Sequence, residues 1–242
     1  MKLKEITERF FYPPVCFVCR EPLPFFSKLP FICNKCKPLE NLIKVRICDV
    51  CSRPLDVDPD SPVCPYCNGK KYLFKSMVTP FYNRKEIKAS IRDYKFGGAY
   101  SSAKSYAHFI SIRLKYLNNF NPEVIVSAPT SKKRLFKRGF NYVTLIAKYL
   151  SEFTGIPCDD ILIKIKDTTP QSLLSAKERL SNLKGAFACK EHNYKNVLLI
   201  DDVYTTGSTV RELCRVLKKS GVEEINVATV AFTYNTPAER FD

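Results

Sequence analysis

Asp201 and Asp202 follow the apolar run Val197, Leu198, Leu199 and Ile200, and precede a small, hydroxyl-rich turn, Thr205, Thr206, Gly207, Ser208 and Thr209. Neighbouring carboxylates can accept hydrogen bonds from sugar hydroxyls or hold a divalent cation. A small-residue turn that leads into a helix offers main-chain N–H groups and partial positive charge to a phosphate. The apolar run has the pattern of a strand buried on both faces of a parallel sheet, so the acids stand at its end, where open α/β sheets bind ligands. Val210, Leu213, Cys214 and Leu217 then keep the i, i+3, i+4, i+7 spacing of a helix. A plain strand–turn–helix needs only a capping Thr or Ser, and unpaired carboxylates at a buried strand's end are costly scaffold. Neither G-x-x-x-x-G-K-[ST] nor G-x-G-x-x-G occurs in the chain.

A second group is metal chemistry. Four C-x-x-C pairs, Cys16/Cys19, Cys33/Cys36, Cys48/Cys51 and Cys64/Cys67, lie within 52 residues. This spacing lets both sulfurs of a knuckle reach one tetrahedral ion, and two knuckles complete a four-cysteine site. A redox C-x-x-C would normally stand once, beside a βαβ unit. Sequential pairing, first two knuckles on one zinc and last two on another, matches ribbon-like spacing best, and a cross-braced arrangement stays open. All-cysteine ligation indicates two structural zinc ions rather than catalytic ones. The module is either a recognition platform for DNA or protein, or a brace for its neighbour. A third group is cationic: Lys132, Lys133, Arg134, Lys137 and Arg138 put five positive charges within seven residues, just after the apolar run Val124, Ile125, Val126. That place, closed by Gly139, favours an anion-binding loop over a solvated helical face.

The elements that must position these groups divide the chain in two. In residues 1–75, ten of the 16 prolines precede residue 66 and helical periodicity is weak, so metal supplies the folding energy. Leu3, Ile6, Phe10 and Phe11 predict a short helix stopped by Pro13 and Pro14. Residues 76–235 alternate strands and helices. Met77–Tyr82 reads as a strand whose Pro80 marks a sheet edge; Ile87, Ile91 and Tyr94, then Tyr106, Ile110, Leu114 and Leu117, mark helices, the second reaching about Asn118. A helix through Val143, Ile146, Ala147 and Leu150 ends at Gly155. Ile161–Ile165 predicts a strand, Ala176–Leu183 a short helix, Ala186–Cys189 a short strand and Ile225–Phe232 a last strand, with residues 236–242 a tail. This alternation predicts a parallel sheet with helices on both faces. His108 reads as packing or surface, and Cys158, Cys189 and Cys214 as small buried hydrophobes.

Composition sets the remaining bounds. The chain has 242 residues, 45% of them hydrophobic, and a formal charge of +15. Residues 1–75 carry 13 Lys and Arg against 8 Asp and Glu, and residues 76–242 carry 26 against 16. Eight zinc-bound thiolates would nearly neutralise the first segment, leaving the positive excess on the second and favouring a polyanionic partner such as nucleic acid. MKLKEITERFFYPPV lacks the apolar stretch of a signal peptide and no segment approaches a membrane span, so a cytoplasmic location is expected.

The thirteen residues VLLIDDVYTTGST resemble the phosphoribosyl pyrophosphate signature of type I phosphoribosyltransferases. Together with the cysteine knuckles, K-F-G-G at Lys95–Gly98, K-R-G-F-N at Lys137–Asn141 and the Q-S-L-L-S…R-L-S-N segment, they resemble the ComF family, ComFC type, over nearly the whole chain. The resemblance implies a type I phosphoribosyltransferase-like domain behind the zinc module, and a role in natural transformation and DNA uptake, handling single-stranded DNA in the cytoplasm. It implies ribose contacts from Asp201 and Asp202, 5′-phosphate contacts from Thr205 to Thr209, and a pyrophosphate loop around Ala128, Pro129, Lys132, Lys133 and Arg134, acting through Mg²⁺. Gln171, Leu173, Leu174, Ser175, Arg179 and Asn182 would fall in the mobile loop and its support. The chain departs from the family at Ser127–Pro129, where Pro-x-Pro is commoner, and at Tyr142, where Gln is commoner. One reading is a DNA-uptake protein holding phosphoribosyl pyrophosphate or a nucleotide as a structural or regulatory group. Single-stranded DNA would lie on Lys132, Lys133, Arg134, Lys137 and Arg138 with exposed aromatics such as Phe136, Phe140 and Tyr142. The alternative is an active transferase moving ribose 5-phosphate to a base or amine. A third gives the zinc module a helicase-like partner.

Overall fold

The computed structural model describes residues 14–24, 31–36, 46–53, 55, 61–117, 120–169 and 176–233. The helix expected through Leu3–Phe11, the Gln171–Ser175 run and the tail lie outside the described residues, as do the side chains of Lys137 and Arg179.

The largest apolar runs of the second segment make one parallel sheet. It contains β1 (Ser76–Val78), β2 (Phe81–Tyr82), β3 (Val124–Ser127), β6 (Asn196–Tyr204) and β7 (Glu224–Phe232), in the order β1-β7-β6-β3, with β2 also paired to β7. Every pairing is parallel. The expected strand Met77–Tyr82 is thus two short pieces separated at Thr79–Pro80, because proline lacks the N–H that the ladder needs. Both pieces lie beside β7 at the sheet's edge. Beyond β3, Ile125 bridges Cys158 in parallel, Ile125 N donating to Pro157 O at 2.8 Å and Asp159 N to Ile125 O at 3.0 Å.

Helices cover both faces. On one side lie α1 (Lys85–Phe96), α2 (Ser102–Leu114) and α4 (Tyr142–Thr154), joined by buried Ile87, Ile91, Tyr94, Tyr106, Ile110, Ile146 and Leu150. The β6–β7 connection, α6 (Ser208–Lys219), takes the other side with α5 (Ala176–Leu183), as right-handed crossovers in opposite directions along the sheet require. Helix α2 ends at Leu114, short of the expected Asn118. Gly155 caps α4 at φ 75, as its place in the sequence predicted.

Two expected strands are not in this sheet. β4 (Leu162–Lys164) and β5 (Phe187–Cys189) pair antiparallel with each other as a separate ribbon. Their alternation, Leu162 buried and Ile163 exposed, is that of a ribbon with only one face covered. The basic run also differs from the expected loop: α3 (Lys132–Arg138) is a two-turn helix. Ser131 caps its start by accepting from Arg134 N at 3.4 Å, and Gly139 closes it at φ 80.

The cysteine knuckles sit on this domain rather than apart from it. Phe17, beside Cys16, packs on Phe81, Tyr106 and Phe109 at ring separations of 5.4, 5.5 and 5.4 Å. Its carbonyl accepts from Ser90 Oγ at 2.5 Å. Val50 O accepts from Met77 N at 2.9 Å, and Ser52 Oγ donates to Met77 O at 2.5 Å while accepting from Thr79 N at 3.2 Å. The second knuckle pair therefore covers the outer edge of β1, which would otherwise present unpaired main-chain groups.

Candidate functional site

The eight predicted cysteine ligands fall into two tetrads, Cys16, Cys19, Cys33, Cys36 and Cys48, Cys51, Cys64, Cys67, with the sulfurs of each within 4.8 Å of one another. This is the sequential pairing. Cys19 Sγ and Cys33 Sγ stand 3.6 Å apart, as do Cys51 Sγ and Cys64 Sγ. That is far beyond a disulfide bond and near the ~3.8 Å edge of a tetrahedron with zinc–sulfur bonds of ~2.3 Å, so the donor sets fit a metal ion. The leading knuckles repeat one local design. Cys16 N bonds Glu21 O and Arg20 N bonds Cys16 O, while Cys48 N bonds Arg53 O and Ser52 N bonds Cys48 O. Arg20 and Ser52 hold φ 67 and 61, an uncommon left-handed turn for residues other than glycine.

The second site lies at the carboxyl ends of the parallel strands. β3 pairs β6 only as far as Ser127↔Ile200, whereas β6 runs on beside β7 to Tyr204↔Phe232. Asp201 and Asp202 therefore stand inside β6 but beyond the end of β3. There the connections from β3 and β6 leave toward opposite faces, the crevice in which α/β sheets bind ligands.

Asp201 is buried, and its Oδ1 accepts from Asp202 N at 2.8 Å. Asp202 Oδ2 accepts from Lys95 Nζ and from the Tyr142 hydroxyl, both at 2.5 Å, and its Oδ1 accepts from Val203 N at 2.5 Å. Burial, reinforced by the charge of Asp202, pushes the Asp201 carboxyl up to about 7. For Asp202 burial also works upward, but the Lys95 charge and the hydrogen bonds from Lys95, Tyr142 and Val203 N outweigh it and hold the group below the ordinary range. Two adjacent carboxyls thus titrate apart, one ionised and one near neutrality. Burial, then the Asp202 charge, drives the Tyr142 phenol well above its usual value.

Lys95 was legible only as part of K-F-G-G, and no sequence signal tied it to Asp202. Tyr142, expected among exposed aromatics, is instead half-buried: it donates to Asp202 while its carbonyl accepts from the Tyr94 hydroxyl at 2.6 Å. Phe96 takes the exposed place, 73% accessible, with the Arg138 guanidinium 4.6 Å over its ring.

The small-residue turn leads into α6, with Gly207 at φ 74 and the Thr206 and Ser208 hydroxyls 2.8 Å apart. A Cβ on Gly207 would fall on the Tyr204 phenol, 2.6 Å from its Cζ, so a side chain there is doubly disfavoured. The space bounded by Asp201, Tyr204, Thr205, Gly207, Ser208 and Thr209 is only about 10 Å³, room for about one water. Tyr204 also stacks on Phe232 at 5.8 Å, and Arg53, two residues after Cys51, lies 5.1 Å over that Phe232 ring. Ring contacts thus connect the second tetrad to this turn.

Across the crevice, Ala128 is buried, its N donating to Ile200 O at 2.8 Å and its carbonyl accepting from Asn141 Nδ2 at 2.9 Å. Asn141 also caps α4 by accepting from Val143 N at 3.1 Å. Ser127, one of the departures, shares its hydroxyl with Thr144 at 2.7 Å and Asp160 at 3.2 Å. Lys132, Lys133 and Arg134 are exposed in the first turn of α3, and Phe136 is 94% accessible. His108 packs among Phe31, Phe109 and Phe153. Cys214 is buried, whereas Cys158 and Cys189 are half-buried.

The chain matches a family model described as phosphoribosyl transferase domain over residues 135–240. It is similar to Competence protein F of Haemophilus influenzae, 29% identical over 81% of this chain and 95% of that one. DNA utilization protein YhgH of Escherichia coli is 27% identical over 89% and 95%, and Competence protein ComFC of Bacillus subtilis 28% identical over 78% and 79%. Among solved structures, a B. subtilis glutamine phosphoribosylpyrophosphate amidotransferase complexed with ADP and GMP is 17% identical with a TM-score of 0.38, covering 57% of this chain and 30% of its own. A purine phosphoribosyltransferase from Pyrococcus horikoshii is 15% identical with a TM-score of 0.31, covering 66% and 83%. No helix among the described residues is long and apolar enough to cross a membrane.

Proposed function

We propose, for a chain that belongs to the ComF-type family and carries a type I phosphoribosyltransferase-like fold, that it binds single-stranded DNA during cytoplasmic DNA uptake. In this reading its crevice holds phosphoribosyl pyrophosphate or a nucleotide. The observation that carries the reading is the meeting, at the carboxyl ends of β3 and β6, of the Asp201–Asp202 pair, the Thr205–Thr209 turn and the cationic segment after β3.

Asp201 and Asp202 would face ribose hydroxyls, with Asp201 Oδ2 outside the hydrogen bonds described above. Thr205, Thr206, Gly207, Ser208 and Thr209 would hold the 5′-phosphate on main-chain N–H groups once Tyr204 swings away from Gly207. The segment from Ala128 and Pro129 to Lys132, Lys133 and Arg134 would take the pyrophosphate with Mg²⁺, the ion spreading its charge over the phosphate oxygens. Two zinc ions on the cysteine tetrads would fix the N-terminal region as residues 1–75 and brace the sheet edge. Lys133, Arg134, Arg138 and Phe136 present charge and an accessible ring to a single strand, and the zinc region offers a surface for a helicase-like partner.

Calorimetric titration with phosphoribosyl pyrophosphate and Mg²⁺ tests the crevice. Wild type is expected to bind, and Thr206→Ala/Ser208→Ala and Asp202→Asn to bind at least about tenfold more weakly, a loss of ~1.4 kcal/mol. No binding by wild type defeats the reading of the crevice. Pyrophosphate release that depends on an added base replaces the binding reading with transferase activity.

A further inference from the structure

We propose that the cleft between α3, α4 and the β4–β5 ribbon seats a nucleotide unit of single-stranded DNA. This deepens the DNA-binding reading above and rests on it. The cleft holds about 600 Å³, within the ~300–1,000 Å³ of ligand pockets. It adjoins the Asp201–Gly207 crevice and shares Pro129 and Lys132 with the segment given above to the pyrophosphate, but no residue between Asp201 and Val210 lines it; it lies where the sheet passes over to the ribbon.

Its lining joins charge and ring surface in the proportion a single strand needs. Lys132 from α3, Lys148 from α4, Lys164 from β4 and Lys190 after β5 converge on it, with Asp160 as the one acid. Four cations against one anion leave a charge of +3 around the cleft. Asp160 is exposed, with its Oδ1 accepting from Ser127 Oγ at 3.2 Å. Lys132, Lys148 and Lys190 are exposed, while Lys164 is half-buried, bonding Thr168 Oγ1 at 2.6 Å and lying 5.6 Å over the Phe187 ring. Tyr100 and Phe140 form an edge-to-face pair at 4.8 Å on the rim, with Tyr100 50% accessible. Leu135, Leu145 and Leu162 complete an apolar wall.

A free inorganic anion would use the lysines and leave the rings idle; an apolar ligand would do the reverse. A base stacked at Tyr100, with its flanking phosphates on Lys148 and Lys190, uses both. Lys148 on α4, Lys164 on β4 and Lys190 after β5 also continue the cationic track of α3, as a chain running over the cleft requires and an isolated small molecule does not.

The test is a salt titration of fluorescent oligo-dT binding to the zinc-loaded full chain, comparing wild type with K148E/K190E, K133E/R134E and Tyr100→Ala. Both cleft lysines are exposed, and circular dichroism checks that folding is retained. K148E/K190E is expected to bind about tenfold or more weakly, with the slope of log affinity against log salt reduced by about 1.4, two phosphate contacts at ~0.7 each. Tyr100→Ala is expected to weaken oligo-dT about fivefold or more and leave an abasic strand unaffected, because stacking and not charge is removed. If wild type binds and K148E/K190E keeps its affinity and slope, the cleft is overturned while DNA binding stands, placed on α3 if K133E/R134E alone is impaired. If wild type does not bind, both fail.

Discussion

Between Pro14 and Cys67, the described residues bury Phe17, Leu23 and Ile32 beside five cysteines; between Met77 and Phe232 they bury an aliphatic and aromatic core of both sheet faces. The first region is organised by sulfur and the second by apolar area. The two nevertheless share a boundary, since Phe17 enters the aromatic cluster of Tyr106 and Phe109, and Val50 and Ser52 complete the hydrogen bonds of β1. A region with little core of its own thus finishes the core and the edge of its neighbour. The two tetrads differ in the same sense: all four cysteines of the second are buried, while the first has Cys19 exposed and Cys33 and Cys36 half-buried.

The largest effect expected from that contrast is metal removal. Purified protein should carry two zinc ions per chain by mass spectrometry. A chelator should abolish the order of the cysteine region, for which apparent zinc affinities of ~10–16 kcal/mol in small zinc modules set the scale. It should also lower the melting temperature of the α/β region by uncovering β1. Cys64→Ser should cost more stability than Cys19→Ser. An unchanged melt after complete metal loss would break the contrast.

Phe17→Ala probes the boundary itself. Removing a fully buried phenylalanine costs about 3–5 kcal/mol, and here the loss is expected in one cooperative urea transition read by far-ultraviolet circular dichroism. Two separate transitions, with the α/β one unmoved, would show that the regions are independent. Within the α/β region, Lys95→Met strands a largely buried carboxylate. Breaking buried pairs costs about 3–5 kcal/mol, but Lys95 and Asp202 retain 21% and 15% side-chain exposure, so about 2 kcal/mol is expected. Tyr142→Phe, which removes one hydrogen bond to the same carboxylate, should cost about 1.5 kcal/mol.

These sites also mark how much the chain's order of residues disclosed. The eight sulfur ligands, the core strands and the Gly155 cap follow from spacing between near neighbours, and so were legible. β6 runs four residues past the apolar run that predicts it, because β7 continues beside Asp201–Tyr204 and a neighbouring strand is not visible in local sequence. The α3 helix was legible in principle: Ser131 and Gly139 bracket seven residues with helix-terminating chemistry at each end. Five charges in seven residues fit a solvated loop as well as a helix, and only the caps distinguish the two. The Lys95–Asp202–Tyr142 cluster was not legible, since it joins α1, α4 and β6 through tertiary packing alone. The same holds for the cleft lysines, which come together only when α3, α4 and the ribbon line one cleft in the folded chain.

The smallest and most specific prediction separates the two aspartates by pH. Asp201 is raised to about 7 in the folded protein, mainly by burial and then by Asp202, against ~3.9 when unfolded. The folded state therefore holds this proton more tightly. The stabilisation is complete below pH ~4 and is lost as pH rises through about 7. Asp202 runs the other way: its lowered value contributes stability above pH ~4 that disappears as pH falls through its folded value. Asp201→Asn keeps an acceptor for Asp202 N but cannot ionise. Urea unfolding should find it close to wild type below pH ~4 and increasingly more stable as pH rises toward ~7, by on the order of 1 kcal/mol or more at pH ~8. A difference that stays constant from pH 5 to 8 would mean that Asp201 is already ionised at the lower pH, and that the two carboxyls share the crevice as a charged pair.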